Sequence, residues 1–162
     1  MTGSTRVSRW QSIVVAFSMI ATMVVILPPQ PASAATLTVN GSDPGCPSSP
    51  TTADFCTVQA AVSAAASGDV IQVAPGTYAE AVFIGGQTLT IRSTGGAAAT
   101  TIAAPAADTT IVTVNTGNLT LEGFTVTGAN GITSANGGGL FVNNSSGTLT
   151  LSDSIVTNNA SG

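Results

Sequence analysis

The second half of the chain repeats a short apolar pattern at a constant spacing. Residues 88–91 (TLTI), 118–121 (NLTL) and 148–151 (TLTL) begin 30 positions apart. Within each segment apolar residues alternate with polar ones, which is typical of a β-strand with one buried face. A repeat of this length predicts stacked structural units. No single unit can bury its own apolar face, so neighbouring units must share one core.

The alternation also predicts which side chains stack inside. In each segment leucine or isoleucine occupies one face and threonine the other, so stacking places the aliphatic side chains above one another and the threonines outside. A column of valines recurs with the same spacing. The predicted structural stack therefore consists of Leu89, Leu119, Leu149, Ile91, Leu121, Leu151, Val82, Val112 and Val142.

The constant register favours an all-β fold, a parallel β-helix built as a single-stranded solenoid with about 30 residues per turn. An antiparallel sandwich is the alternative, because it also has short alternating strands, but it does not require an unchanging register. We expect the turns to occupy residues 69–162. The third repeat reaches about half a turn at Gly162, so we expect the solenoid to continue further, and the open end of this fragment to self-associate end to end.

A short helix is predicted ahead of these strands, over residues 57–68. Its apolar residues share one helical stripe, and Gly68 is a stop signal at its end. The stripe consists of Val58, Ala61, Val62 and Ala65. We expect this helix to cap the first turn by covering its apolar face and its unpaired strand edges. A strand is expected over residues 69–73 and a turn over residues 75–78.

The N-terminal segment has the features of a targeting signal. Arg6 and Arg9 precede an apolar run over residues 13–27, prolines end that run, and Ala-Ser-Ala at 32–34 has a small-x-small cleavage pattern. These features predict a secretory signal peptide over residues 1–34. An uncleaved anchor is the alternative, although the run is short for a span of about 20 residues. We therefore expect an exported protein that is extracellular or on the cell surface. Association with the outer membrane is left as an alternative, and no integral membrane segment is expected after cleavage.

Residues 35–56 form the expected lead-in, which is rich in Pro, Ser and Thr and contains both cysteines, Cys46 and Cys56. Export would expose them to an oxidising compartment, where a disulfide that staples this loop is expected. Two thiols are too few ligands for a metal site. A nucleophilic cysteine would need a histidine base, and the sequence has no histidine.

Charged residues are scarce, with Lys+Arg 3, Asp+Glu 7 and His 0. The absence of histidine excludes His-dependent triads and HExxH metal sites from this sequence, and so few cations argue against a nucleic-acid surface. At a 30-residue register no two acidic residues stack, so we predict no catalytic residues, no metal site and no cofactor. Arg92 and Glu122 do stack, and we favour a surface ion pair over a catalytic pair.

Four segments carry a resemblance to known proteins. Residues 57–84 (TVQAAVSAAASGDVIQVAPGTYAEAVFI) and 89–96 (LTIRSTGG) resemble the opening of bacterial right-handed parallel β-helix proteins of the pectin-lyase-like superfamily. Residues 137–144 (GGGLFVNN) and 152–161 (SDSIVTNNAS) resemble the repeats of polymorphic outer-membrane and exported cell-surface proteins. The resemblance implies a right-handed parallel β-helix but no single activity, because such repeats occur in lyases, esterases and adhesins alike.

These observations predict an exported, non-catalytic β-helix scaffold or adhesin-like protein, with a polysaccharide or cell-surface component as its partner. The alternative is the N-terminal part of a polysaccharide-active enzyme, similar to pectate lyase, pectinesterase or polygalacturonase, with catalytic turns beyond residue 162. A carbohydrate-binding module is disfavoured, because a sugar platform needs aromatic side chains. Tyr78 is the sole tyrosine, and Trp10, the sole tryptophan, would leave with the signal peptide.

Overall fold

The computed structural model describes residues 33–130, 137–143 and 146–160. The predicted signal peptide, apart from its last two residues, lies outside the described residues, as does Gly162. The elements of the described chain are β1 (Thr36–Val39), α1 (Val58–Ala64), β2 (Val70–Val73), β3 (Gly76–Ala79), β4 (Val82–Ser93), β5 (Thr100–Ala103), β6 (Val112–Glu122), β7 (Thr125–Thr127), β8 (Leu140–Val142), β9 (Thr148–Ser152) and β10 (Ile155–Thr157).

The strands form two sheets in which the paired strands are parallel. The first sheet has the order β1-β2-β4-β6-β8, and β9 pairs with the C-terminal half of β6. The second sheet has the order β3-β5-β7-β10. From β2 to β8 the chain contributes strands to the two sheets alternately, so parallel neighbours in this stretch are joined by connections through the other sheet. Strands β8 and β9 follow each other in the first sheet, and β10 returns to the second.

The predicted right-handed parallel β-helix, a closed single-stranded solenoid of constant 30-residue turns, is wrong. The described residues form two separate parallel sheets and one helix, with no closed solenoid among them. Paired residues lie 34 positions apart between β1 and β2, 20 between β2 and β4, 24 between β3 and β5, and 28 between β6 and β8. Parallel pairing fixes the lateral register of two strands but not the length of the chain between them. A spacing counted in one region therefore did not extend to the others.

The 30-residue spacing holds from β4 through β6 to β9. The direct partners there are Leu89, Leu119 and Leu149, and then Ile91, Leu121 and Leu151. The valine column departs from the prediction. Val82 pairs with Val112, but Val112 pairs with Leu140, and Val142 pairs with Val114. Val142 is thus two residues out of its predicted register, because the connection to β8 is two residues shorter than the repeat.

Strand alternation decides which side chains are buried. On β6, Leu119 and Leu121 are 1% and 0% exposed, whereas Thr120 between them is half-buried on the other face. The buried side chains of both sheets and of α1 form one apolar cluster. At the last strands the aliphatic side chains are uncovered, with Leu151 41% and Val156 45% exposed. Burial of the predicted stack therefore depends on having a strand on each side.

Side chains from outside the helix secure the start of α1. Thr57 is the N-cap, and its Oγ1 accepts a hydrogen bond of 3.2 Å from Ala60 N. The Glu80 carboxylate accepts hydrogen bonds of 2.8 Å from Val58 N and from Gln59 N. Three of the four free N–H groups of the first turn are thus satisfied. The buried stripe of α1 contacts β1, β2 and β4.

The helix ends earlier than its sequence predicts: its last residue is Ala64 and its C-cap is Ala65, whereas the predicted stop is Gly68. The reason is the buried carboxylate of Asp69, which accepts hydrogen bonds of 2.8 Å from Ala66 N and from Ala35 N. These bonds hold the chain after the helix in a bend that leads directly into β2. Residues 75–78, predicted as a turn, instead provide most of β3, because β5 offers a parallel partner.

The lead-in, and not α1, covers the outer edge of β1. Asp54 Oδ2 accepts hydrogen bonds from Thr38 N (2.7 Å) and Thr38 Oγ1 (2.8 Å). In return, Asp54 N and Phe55 N donate to Thr38 O at 3.1 and 3.0 Å, and Val39 forms a bridge with Phe55. The Thr38 N–H and then its hydroxyl lower the pKa of Asp54 below its ordinary value. The unpaired polar groups of this strand edge are therefore largely satisfied.

We expect Leu119→Ala to destabilise the protein by about 2–5 kcal/mol, because it removes a buried side chain from the centre of the first sheet. Thr120→Ala on the outer face should change stability by no more than about 0.5 kcal/mol. The same leucine-to-alanine change at the exposed Leu151 is the matched control and should cost less. Urea unfolding followed by circular dichroism measures all three. Equal midpoints for the Leu119 and Thr120 variants would contradict the register.

Candidate functional site

A cleft of about 560 Å³ lies between α1 and β4. It is lined by amide, hydroxyl, glycine and apolar groups, and none of the lining residues is charged. They are Gln59, Val62, Ser63, Ser67, Phe83, Gly85, Gly86 and Gln87. The helix and Ser67, shortly after its end, supply one wall and β4 supplies the other, so the cleft depends on how α1 is anchored to β4.

An irregularity in β4 shapes the strand side of the cleft. The pairing of β4 with β6 shifts register on both sides of Gly85 before it resumes at Thr88. Gly86 adopts φ +145°, a conformation that L side chains rarely adopt. Gly117 on β6 lies so close to Gln87 that a Cβ there would be 2.3 Å from Gln87 O. Such bulges re-aim the side chains beside them, and here they turn Gln87 toward the cleft.

Polar side chains join the two walls of the cleft. Gln59 Oε1 accepts a hydrogen bond of 2.7 Å from Phe83 N, and Gln59 Nε2 donates to Ser63 Oγ at 3.2 Å. At the other end of α1, Ser67 Oγ accepts a hydrogen bond of 3.1 Å from Thr88 N. Helix and strand are therefore held together at both ends, and the cleft is preformed rather than the result of a loose contact.

One polar atom at this cleft is unsatisfied. Gln87 Oε1 is buried and has no hydrogen-bond partner within the described residues. A buried acceptor without a donor costs about 1–3 kcal/mol, so such atoms are uncommon in native proteins and call for an explanation.

Beside the cleft, Phe83 is 49% exposed, which is unusual for so large an apolar side chain. Its ring leans over Gly85, where a Cβ would be 3.2 Å from a ring carbon. Phe83 is the direct neighbour of Thr113 on β6, and Thr113 is the direct neighbour of Phe141 on β8. These three residues, the phenylalanine row, lie on one sheet face, with the two Phe Cα atoms about 9–10 Å apart.

A second pair of polar side chains lies next to this row. Asn143 Nδ2 donates a hydrogen bond of 2.7 Å to Asn115 Oδ1. Asn115 and Asn143 follow Thr113 and Phe141 by two positions along their strands, so they are on the same face. This amide pair, the phenylalanine row and the cleft make one continuous uncharged surface on the first sheet.

The predicted disulfide is confirmed. Cys46 and Cys56 are bonded, with their Cα atoms 5.6 Å apart. The loop they close is organised by Asp43, which is 4% exposed and accepts hydrogen bonds from Gly45 N (2.9 Å), Thr51 N (2.7 Å) and Thr52 N (2.6 Å). The hydroxyls of both threonines donate to the same carboxylate.

The hydrogen bonds around Asp43 favour its charged form. The Thr52 hydroxyl contributes most, and together with the backbone N–H groups of Thr51, Gly45 and Thr52 it outweighs the opposing effect of burial. The pKa of Asp43 is therefore held far below its ordinary value of 3.8. The lead-in thus has a buried, fully engaged carboxylate that stabilises the disulfide loop and has no free oxygen directed at a ligand.

Tyr78 and Glu80 also have structural roles. The Tyr78 hydroxyl donates a hydrogen bond of 2.9 Å to Ala74 O and accepts one of 3.3 Å from Gly41 N. Burial raises the pKa of Tyr78, against the effect of the Gly41 hydrogen bond. Glu80 caps α1 as described above. Both side chains join the lead-in and the helix to β3.

Arg92 and Glu122 are direct backbone partners on β4 and β6, and Glu122 is in turn the partner of Ser152. No ion pair joins the Arg92 and Glu122 side chains in the part of the chain that the structure describes, so the predicted ion pair is wrong. Backbone register brings strand positions together, but it does not orient long exposed side chains.

Within the described ranges, no group of three or more His, Cys, Asp or Glu side chains is placed to hold a metal ion. The same part of the chain contains no helix with the length and apolar character of a membrane span.

Phe83 and Gln87 are not among the site residues predicted from the sequence. Tyrosine and tryptophan were the aromatic residues considered for a sugar platform, and the phenylalanines were not. Strand alternation did contain a signal, because Phe83 lies between the inward residues Val82 and Ile84 and so had to point outward. No comparable signal exists for Gln87, since its position depends on the bulge.

The chain matches no protein-family model, no curated protein and no solved structure. Nothing in these comparisons identifies the pectin-lyase-like superfamily. Function is therefore inferred from the geometry of the chain itself.

We expect Asp43→Asn to lower the urea midpoint at pH 7, because the amide cannot replace the charge-assisted hydrogen bonds. A carboxylate whose pKa is lowered by folding stabilises the protein fully above its ordinary pKa, and this stabilisation is lost as the pH falls toward the folded value. The difference between wild type and variant should therefore shrink below about pH 3.8. Glu122→Gln, the same chemical change on a strand face, is the control. A difference independent of pH would contradict this assignment.

Proposed function

We propose that this chain is an exported, non-catalytic scaffold with an adhesin-like role, which contacts a polysaccharide or another component at the cell surface. The observation that carries the proposal is the repetitive hydroxyl and amide surface of the first sheet. Its outer positions form two rows of direct neighbours across β4, β6 and β9, namely Thr88, Asn118 and Thr148, and Thr90, Thr120 and Thr150.

The rows are suited to contact with an extended partner. Backbone hydrogen bonds between parallel strands fix the spacing of each row, and Asn118 Nδ2 donates to Thr88 Oγ1 at 3.3 Å. Side chains held on strands are positioned more accurately than those on loops, which favours recognition of a regular surface. Short hydroxyl side chains can form hydrogen bonds with such a surface, but without a base they are poor nucleophiles.

The disulfide supports the exported location. Bonds of this kind persist in oxidising compartments and are rare in the cytosol. Both cysteines of the sequence are used in it. The bond also closes the loop whose last residues cover the edge of β1, so an oxidising environment would favour the complete fold.

The proposal is tested by expressing the whole chain in a bacterium with an active export pathway. We expect the mature protein to be found outside the cytoplasm, shortened by about 34 residues as the cleavage pattern requires, and to show no free thiol on alkylation before reduction. Intact mass spectrometry of cell fractions measures all of this. An unprocessed chain with two free thiols in the cytoplasm would contradict the proposal.

Catalysis is tested separately with the purified chain on pectin and polygalacturonate, with and without Ca²⁺. We expect no soluble product. The opposite result would be that the wild-type chain releases product and that Glu122→Gln or Arg92→Ala abolishes this activity. That result would support the polysaccharide-active enzyme and overturn the non-catalytic proposal.

A further inference from the structure

We propose that the phenylalanine row, the amide pair and the adjoining cleft together bind an extended, neutral, β-linked polysaccharide. This inference names the ligand class for the adhesin-like function proposed above, and it rests on that proposal. It adds to the threonine rows one defined site on β4, β6 and β8.

The phenylalanine row provides the apolar part of the site. Pyranose rings have flat C–H faces that pack on aromatic rings, while their hydroxyls point to the sides. Phe83 is half exposed with its ring supported by Gly85. Phe141 lies two strands away on the same face, with Thr113 between them. Two strand spacings, about 9–10 Å, are comparable to two sugar units of an extended β-linked chain, so both rings can hold one glycan that crosses the strands.

The amide pair and the cleft provide the polar part. Amide groups both donate and accept hydrogen bonds, as sugar hydroxyls do. Asn115 and Asn143 run beside the phenylalanine row, joined by their 2.7 Å hydrogen bond. On the other side of Phe83 the cleft adds the hydroxyls of Ser63 and Ser67. An apolar strip bordered by donors and acceptors matches the two kinds of surface that a sugar ring presents.

The unsatisfied Gln87 supports a ligand with hydroxyl groups. Gln87 lines the cleft, and its Oε1 is buried without a donor among the described residues. Rotation of the amide into the neighbouring cleft would bring this oxygen within reach of a bound hydroxyl. Binding would then remove the cost of an unpaired acceptor, which an apolar ligand could not do. An energetic cost kept in the free protein at such a place is typical of a binding site.

The charge of the surface selects the neutral class. None of the residues of the row, the amide pair or the cleft is charged, and Arg92 and Glu122 lie at the opposite ends of their strands. A polyuronate would therefore find no cation to pair with its carboxylates, while the remaining acids of the chain would repel it. A protein partner would require a larger desolvated apolar centre than two phenylalanines provide.

The test is isothermal titration calorimetry of the purified, disulfide-bonded chain with linear β-1,4-linked hexasaccharides of glucose, mannose and xylose. Hexamannuronate, a β-1,4-linked uronate, is the charged comparison, because it matches the mannose hexasaccharide in linkage. We expect binding to at least one neutral hexasaccharide and none to the mannuronate. Phe83→Ala and Phe141→Ala should each weaken binding by about tenfold or more. Phe83→Trp keeps an aromatic ring at this position and should retain the wild-type affinity.

Two further variants make the result specific. Ile155→Ala removes a side chain of similar exposure, 51%, from the second sheet and should leave affinity unchanged. Gln87→Met removes the unpaired oxygen, so it should raise the urea midpoint while weakening sugar binding. A merely structural glutamine would not change these two quantities in opposite directions.

The outcomes separate this inference from the proposed function. No binding to any neutral hexasaccharide, equal binding to hexamannuronate, or unchanged affinity in both alanine variants would overturn the inference. Export and surface location, measured as described above, would then still stand. A chain that binds the sugar but remains unprocessed in the cytoplasm would overturn the proposed function and leave the binding site intact.

Discussion

Lateral pairing of short parallel strands is the constraint on which the rest of this structure depends. Most strands have three to five residues, and β-strands of that length cannot bury an apolar face alone. Each must find a neighbour on both sides before its side chains leave water. Leu121 is 0% exposed because β4 and β9 flank it, whereas its direct partner Leu151, on the outer strand β9, is 41% exposed. Stability therefore comes from stacking, one strand upon the next.

A stacked fold has to close its ends, and this chain closes its first end with polar chemistry as well as apolar packing. The helix α1 covers the core, while Asp54 and Phe55 occupy the outer edge of β1. Three carboxylates, Asp43, Asp69 and Glu80, satisfy backbone N–H groups in the segments around that end. In a chain with so few charged residues, acids concentrated in these roles act as hydrogen-bond acceptors that fix the backbone.

The proposed binding surface is a consequence of the same construction. Regular pairing sets the distance between Phe83 and Phe141, and the local failure of pairing around Gly85 opens the cleft beside them. Helix α1 thus has two roles, since Gln59 on it both caps the exposed N–H of Phe83 and lines the cleft. Regular strand pairing sets the spacing of side chains on this surface, and the bulge around Gly85 shapes the cleft.

The sequence by itself determined strands β4, β6 and β9, their inward and outward faces, the helix stripe and the disulfide. These are local or strictly periodic features, and alternation in LTI and LTL is sufficient to encode the strand faces. It did not determine the division into two sheets, the two-residue offset of Val142, or strand β3. Those depend on connection lengths and on which partner a strand meets. The same distinction applies to the residues of the candidate site. Alternation alone places Phe83 outside. Its alignment with Phe141 across Thr113, and the unsatisfied Gln87, arise only when separate strands and the helix are packed together, because both depend on contacts between residues far apart in the chain.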